Sequence, residues 1–162
     1  MTVWNARTTD ELDLVAGPLG DAYFDIDELE HDEGAGVLTI PFAQEGGWGP
    51  LLEDPAWRDA PRAETVRVTW RFREERVPLM RGVLTVRNVE AVAIDDGAGD
   101  AGMLLNLSYD EGTRTLTVEG VSGNLKAVVE SLDITSELRP DEVALYIRRR
   151  HSVFGWSSER RL

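Results

Sequence analysis

The most regular alternation of apolar and polar residues in the chain lies between positions 65 and 73. The two sets of alternating residues are Val66, Val68, Trp70 and Phe72, and Arg67, Thr69, Arg71 and Arg73. A period of two residues is typical of a strand with one buried face. This pattern therefore predicts a strand at 65–73 whose apolar side contributes to the core.

Five further segments have a similar alternation or a β-rich composition: 22–28, 37–42, 83–94, 103–109 and 113–119. The apolar pattern changes face near Asn88, which indicates a β-bulge. The acidic stretch Glu30–Gly36 is typical of a hairpin connection. Asp110–Gly112 predicts a second hairpin, in which Gly112 suits the left-handed position of a bulged turn.

One short helix is predicted near the N-terminus. Thr8 or Thr9 can cap it, acidic residues follow in its first turn, and Gly17 with Pro18 is expected to end it. The segments 125–134 and 143–149 fit either a helix or a strand, and their β-branched residues favour strand.

Together these elements predict a mainly β protein with one or two short helices, and α+β is the alternative class. The expected architecture is an antiparallel sandwich, a barrel or a strongly bent sheet, formed by residues 1–162 as a single domain. The predicted core comprises Phe24, Ile26, Leu38, Ile40, Val68, Trp70, Phe72, Leu84, Val86, Leu105, Leu107, Leu116 and Val118.

A long segment at 43–63 breaks the periodic pattern with three prolines and three glycines. A loop of this length without secondary structure is uncommon in a compact domain and is often functional. It contains Trp48 and Trp57, and exposed tryptophans are effective anchors for a partner. The alternative is that both rings fold back onto the end of the sheet.

The net charge of −13 disfavours nucleic-acid binding, which requires clustered lysine and arginine residues. Residues 1–64 contain 15 acidic and three basic residues, whereas residues 65–162 contain 15 and 14. This asymmetry indicates a basic protein partner, although solubility or adaptation to high salt explains it equally simply. The start of the chain has no signal-peptide pattern and no apolar run is long enough for a membrane helix, so we expect a cytoplasmic protein.

No catalytic, metal or cofactor site is predicted from the motifs. Gly97–Gly102 matches the letters of a dinucleotide-binding motif, but the following residues begin a strand rather than the required helix. The acidic run that starts at Asp25 fails the EF-hand pattern because Leu29 and Glu30 stand at its fifth and sixth positions. The chain has no cysteine, and neither His31 nor His151 has a nucleophile motif beside it.

Three arginines, Arg67, Arg71 and Arg148, are candidates for a small anion pocket. The simpler interpretation is that they pair with acidic residues of neighbouring strands, such as Glu119 or Glu130. A cleft in which one of these arginines meets a carboxylate away from bulk water would favour an enzyme or a small-molecule binder. A flat acidic face with an exposed Trp48 or Trp57 would favour a protein-binding module.

The segments Leu19–Ile26 and Leu38–Phe42 resemble the opening of several small bacterial β-rich families, some of which are immunity proteins to toxins. The resemblance contains no diagnostic motif, so it assigns no family and no site residues. The sequence as a whole predicts a non-enzymatic, immunity-like module that recognises a basic partner. Its expected partner-binding residues are Trp48, Trp57, Glu30, Asp32 and Glu33. The alternatives are a small hydrolase or lyase with a carboxylate and arginine pocket, and a small-molecule-binding β-barrel.

Overall fold

The computed structural model describes residues 2–20, 22–24, 28–45, 63–95, 102–120, 123–151 and 157–161. It confirms a mainly β chain with antiparallel strands and one short α-helix. The strands are β1 (Thr2–Ala6), β2 (Tyr23–Phe24), β3 (Glu30–Asp32), β4 (Val37–Glu45), β5 (Glu64–Val68), β6 (Phe72–Arg87), β7 (Val89–Asp95), β8 (Gly102–Asp110), β9 (Thr115–Gly120), β10 (Gly123–Val129), β11 (Ile134–His151) and β12 (Ser157–Arg161). A 3₁₀ turn at Thr9–Glu11 precedes the helix α1 (Leu12–Leu19).

The chain forms two compact units. The first comprises Met1–Gln44 and Gly82–Arg139, and the second comprises Glu45–Arg81 and Pro140–Leu162. The division does not test the expected single domain over 1–162, which stays a prediction.

In the first unit the strands are hydrogen-bonded in the order β1-β11-β6-β4-β2-β8-β9-β10-β7, and β3 pairs with β4. The path begins and ends on different strands, so the described residues form no closed barrel, and the sandwich-like or bent-sheet alternatives fit. In the second unit β6 pairs with both β5 and β11, and β11 pairs with β12.

The core of the first unit follows the period-two pattern closely. Leu116 and Val118 of β9 are buried, as are Leu125 and Ala127 of the neighbouring strand β10. Leu125 lies opposite Val118, and Ala127 lies opposite Leu116, so the same face is apolar on both strands. Such cross-strand apolar pairs are the main source of sheet stability.

Most of the predicted core residues of the first unit are buried: Phe24, Leu38, Ile40, Leu84, Val86, Leu107, Leu116 and Val118. Ile26 and the side chain of Leu105 lie outside the described residues.

The helix begins and ends differently from the prediction. No threonine side chain caps the first turn, and the Arg7 N–H donates instead to Glu11 Oε2 at 2.8 Å. The helix also continues past Gly17 to Leu19, so Gly17 and Pro18 lie within its last turn rather than beyond its end. Strand β1, which precedes the helix, was not predicted from the sequence.

The single strand predicted at 65–73 is wrong, because the chain reverses direction within it. Strands β5 and β6 form an antiparallel hairpin in which Val68 lies opposite Arg73. Thr69 closes the turn: its N–H donates to Phe72 O at 2.8 Å, and its Oγ1 accepts the Phe72 N–H at 3.1 Å. Val68 and Trp70 are 70% and 77% exposed, so their assignment to the core is also wrong, and Phe72 is only half-buried.

The predicted irregularity near Asn88 is present. The pairing of β7 with β10 shifts register between Val89 and Ala91, as at a β-bulge, and the chain also breaks between β6 and β7 at Asn88. Asn88 adopts a left-handed backbone with φ of 60° between the end of β6 and the start of β7. In the 110–114 turn the left-handed residue is Arg114 rather than Gly112, with φ of 52°. Asp110 Oδ1 accepts the N–H groups of Gly112 and Thr113, which orders the turn without a left-handed glycine.

The remaining segments agree with their predicted type but differ in extent. Within the strand predicted at 22–28, Tyr23–Phe24 is a strand and residues 25–27 lie outside the described residues, whereas Glu30–Asp32 forms a separate strand on β4. The preference for strand at 125–134 and 143–149 is confirmed by β10 and β11, although residues 130–133 connect the two.

Candidate functional site

An acidic hairpin, defined here by Glu30, Asp32 and Glu33, joins β3 to β4 in the first unit. Glu30 and Asp32 lie opposite Thr39 and Val37. Both side chains project on the same side of the strand and are exposed, as is Glu33 in the turn.

The backbone of this turn is held by a local side-chain bond. Asp32 Oδ1 accepts the Ala35 N–H at 2.9 Å. Gly36 completes the turn with φ of +61°, a conformation that glycine adopts without steric cost. The Gly36 carbonyl accepts the Val89 N–H at 2.9 Å, which ties the end of the turn to β7.

The charges of the acidic hairpin are not neutralised within the described part of the chain. No ion pair joins Glu30, Asp32 or Glu33 to a described residue. Three neighbouring exposed carboxylates therefore act together on an approaching charged molecule.

The tip of the β5–β6 hairpin in the second unit carries two of the predicted arginines. The Arg67 Cζ atom lies 5.6 Å from the centroid of the Phe72 ring, and the Arg71 Cζ atom lies 4.3 Å from that of Trp70. Both distances are within the range of cation–π interactions. Among the described residues, neither arginine forms an ion pair. We call Arg67, Arg71 and the exposed Val68 and Trp70 the arginine tip.

Arg148 on β11 belongs to a different arrangement in the same unit. Its Nη1 and Nη2 donate to the two carboxylate oxygens of Glu45 at 2.9 and 2.7 Å. Its Nε lies 3.3 Å from Glu75 Oε2, and Arg73 Nε lies 3.1 Å from Glu75 Oε1. The side chains of Arg148 and Glu75 are only 12% and 10% exposed.

This Arg148 network pairs two arginines with two glutamates, so its formal charge is zero. All three nitrogens of the Arg148 guanidinium contact carboxylates of the same chain. An arginine that meets carboxylates away from bulk water favours an enzyme or a small-molecule binder where the group lines a cleft. The bidentate bonds of Arg148 to Glu45 and its further bond to Glu75 are, however, typical of an ion-pair network that ties strands together.

The structure thus gives the three predicted arginines separate partners: Arg67 and Arg71 lie over aromatic rings, whereas Arg148 binds two glutamates. Sequence reasoning missed Glu45 and Glu75. These residues lie 103 and 73 positions from Arg148, so no local pattern indicates the pairing.

The predicted recognition loop at 43–63 is described only at its ends. Residues 43–45 belong to β4, and Gln44 is buried with its Nε2 donating to Gly20 O at 3.1 Å. Trp48 and Trp57 lie outside the described residues, so their role stays a prediction.

The charge asymmetry follows the two units more closely than the two halves of the sequence. The first unit contains 20 acidic and five basic residues, whereas the second contains 10 and 12. The first unit therefore carries a formal charge of −15 and the second +2, which together give the net −13 of the chain. The acidic hairpin belongs to the negative unit and the arginine tip to the other.

The chain matches no protein-family model, and comparison with curated proteins and with solved structures finds no similar protein. Among the described residues, no helix is long and apolar enough to cross a membrane. The same residues contain no group of three or more histidine, aspartate or glutamate side chains arranged to hold a metal ion.

Proposed function

We propose that the protein is a non-enzymatic binding module whose acidic hairpin recognises a basic partner protein in the cytoplasm. The observation that carries the proposal is the exposure of Glu30, Asp32 and Glu33 without a basic neighbour in the described part of the chain. Exposed charges that complement a partner steer its approach and give specificity, so a group of three carboxylates on an ordered turn supports a role in recognition.

The geometry of the hairpin suits rapid, salt-sensitive association. The bond from Ala35 N–H to Asp32 holds the turn before a partner arrives, which lowers the ordering cost of binding. The formal charge of −15 on the first unit extends the attraction beyond the hairpin itself. Charge of this kind steers a basic partner and raises the association rate, and it is screened over about 8 Å at physiological salt.

The proposal includes the loop tryptophans as the source of buried contact area. Charged residues at the rim of an interface mainly affect the association rate, whereas buried aromatic residues dominate its energy. Trp48 and Trp57 are the residues in the predicted loop with this capacity. An immunity-like role, in which the basic partner is a toxin, fits this chemistry.

The experiment is an affinity capture from an extract of the source cells with three forms of the protein. The test variant combines Glu30→Lys, Asp32→Lys and Glu33→Lys. The control variant combines Asp10→Lys and Asp13→Lys with Glu130→Lys, which changes three exposed acids and the net charge by the same amount.

A basic protein that wild type and the control variant capture, and that the test variant loses, supports the proposal. The association rate with that protein, once purified, should fall steeply between low and physiological salt. The proposal is overturned if the test variant captures the same proteins as wild type. Trp48→Ala and Trp57→Ala, assayed alongside, should accelerate dissociation of the same protein.

A further inference from the structure

The arginine tip has the chemistry that the acidic hairpin requires in a partner. The geometry points to a second copy of this chain as that partner: the acidic hairpin of one copy binds the arginine tip of the next. This inference rests on the proposed function, because it gives the same hairpin a local basic surface as its occupant, carried by a chain whose own net charge is −13.

The two arginines are prepared to bind carboxylates. Their Cζ atoms lie 5.6 Å (Arg67) and 4.3 Å (Arg71) from the centroids of the Phe72 and Trp70 rings. An aromatic ring attracts the cation electrostatically and does not use up its N–H donors, so these donors stay available to a carboxylate. A carboxylate accepts two parallel bonds from a guanidinium, which are stronger than bonds between neutral groups.

The tip also provides apolar contact area. Val68 and Trp70 are 70% and 77% exposed, and Val66 on the same strand is 46% exposed. Large apolar side chains that remain exposed beside arginines are typical of protein interfaces, where tryptophan and arginine carry much of the binding energy. The tip therefore combines apolar area with donors for acidic groups.

Charge determines how two copies can meet. Two first units, each with a formal charge of −15, repel one another, whereas the second unit has a charge of +2. The favourable contact therefore joins the first unit of one copy to the second unit of another. Such a head-to-tail contact uses two different surfaces, so it leads to a ring or an open chain rather than to an isologous dimer.

The test is sedimentation velocity of the purified full chain over a concentration series at low and high salt. The tip variant is Arg67→Glu with Arg71→Glu, and its neutral counterpart is Arg67→Gln with Arg71→Gln. The hairpin variant is the lysine triple described above. The control, Arg76→Glu with Arg81→Glu, changes two other exposed arginines of the second unit by the same charge.

Wild type and the control should associate at low salt and dissociate as salt rises. The tip variant, its neutral counterpart and the hairpin variant should each associate at least about tenfold more weakly. Mixing the tip and hairpin variants should restore association, because the intact hairpin of one still meets the intact tip of the other. Near-ultraviolet circular dichroism establishes whether each variant is folded. If the variant with two glutamates at the tip does not fold, its neutral counterpart with two glutamines takes its place in the test.

A wild type that remains monomeric at every concentration overturns the inference, as does association that neither variant weakens or that mixing does not restore. These results leave the proposed function standing if the acidic hairpin still captures a different basic protein from the extract. If the hairpin triple affects neither self-association nor capture, both the inference and the proposed function fail.

Discussion

Gly82 offers a direct test of the packing in the first unit. It is a buried residue of β6, and a Cβ atom added there would lie 2.5 Å from Phe42 Cε2 and 2.8 Å from Glu137 O. Real Cβ atoms essentially never approach another heavy atom closer than 3.0 Å. Because Glu137 O belongs to the backbone of a neighbouring strand, a side-chain rotation cannot relieve the whole clash.

The sign of the Gly82→Ala effect separates two contributions. Restricting the unfolded chain stabilises a protein by about 0.4–1 kcal/mol when the native site accepts a methyl group. Overpacking a close-packed core costs about 1–3 kcal/mol. We expect the second contribution to dominate, so Gly82→Ala should lower the free energy of unfolding by about 1–2 kcal/mol, as measured by urea denaturation.

Gly17→Ala is the matched control, because a Cβ atom there meets nothing within 4 Å. Gly17 lies in α1, where alanine is favoured over glycine by about 1 kcal/mol, but a residue with a Cβ atom before a proline is disfavoured in the helical region. These contributions oppose one another, so this change should alter the free energy of unfolding by less than about 1 kcal/mol. A second control is Gly82→Ala in a Phe42→Leu background, where the penalty should shrink without disappearing because Glu137 O remains. The packing argument is refuted if Gly82→Ala stabilises the protein, or if its penalty is the same in both backgrounds.

Three further changes test other parts of the structure by urea denaturation. Arg148→Met removes the bidentate cation of Glu45 and one cation of Glu75, while Arg73 still contacts Glu75. It should lower the free energy of unfolding by about 2–4 kcal/mol, less than the loss of a fully buried pair because Glu45 is more exposed. Adding Glu75→Gln to this variant should recover part of the loss, and additive losses would contradict the network. Trp70→Ala should lower the free energy of unfolding by less than about 1 kcal/mol, because this side chain is mostly exposed. A loss of about 3–5 kcal/mol would instead indicate a buried tryptophan. Asp110→Ala removes the acceptor for two backbone N–H groups of the turn and should lower the free energy of unfolding by about 1 kcal/mol. An unchanged free energy of unfolding would show that water replaces the carboxylate without penalty.

Local pattern and turn chemistry determined much of the fold. The strands β4, β8 and β9, and the strand type of β10 and β11, follow from alternation and β-branched residues. Alternation and β-branched composition are local signals. Successive side chains of a strand point to opposite faces whatever the rest of the chain does. The acidic hairpin could be predicted from turn chemistry, which is also local, since acidic and glycine residues between two apolar runs favour a turn.

Only the tertiary structure decided which of the side chains with these local patterns are buried and which form ion pairs. Alternation at 65–73 is equally compatible with a half-buried strand and with an exposed hairpin, and only the position of β6 shows that Val68 and Trp70 remain exposed. The partners of Arg148 were likewise invisible, because strand pairing joins residues 73 and 103 positions apart. Periodicity specifies which side chains share a face, whereas burial and ion pairing depend on which strand packs beside them, a property of long-range pairing that no short window of sequence contains.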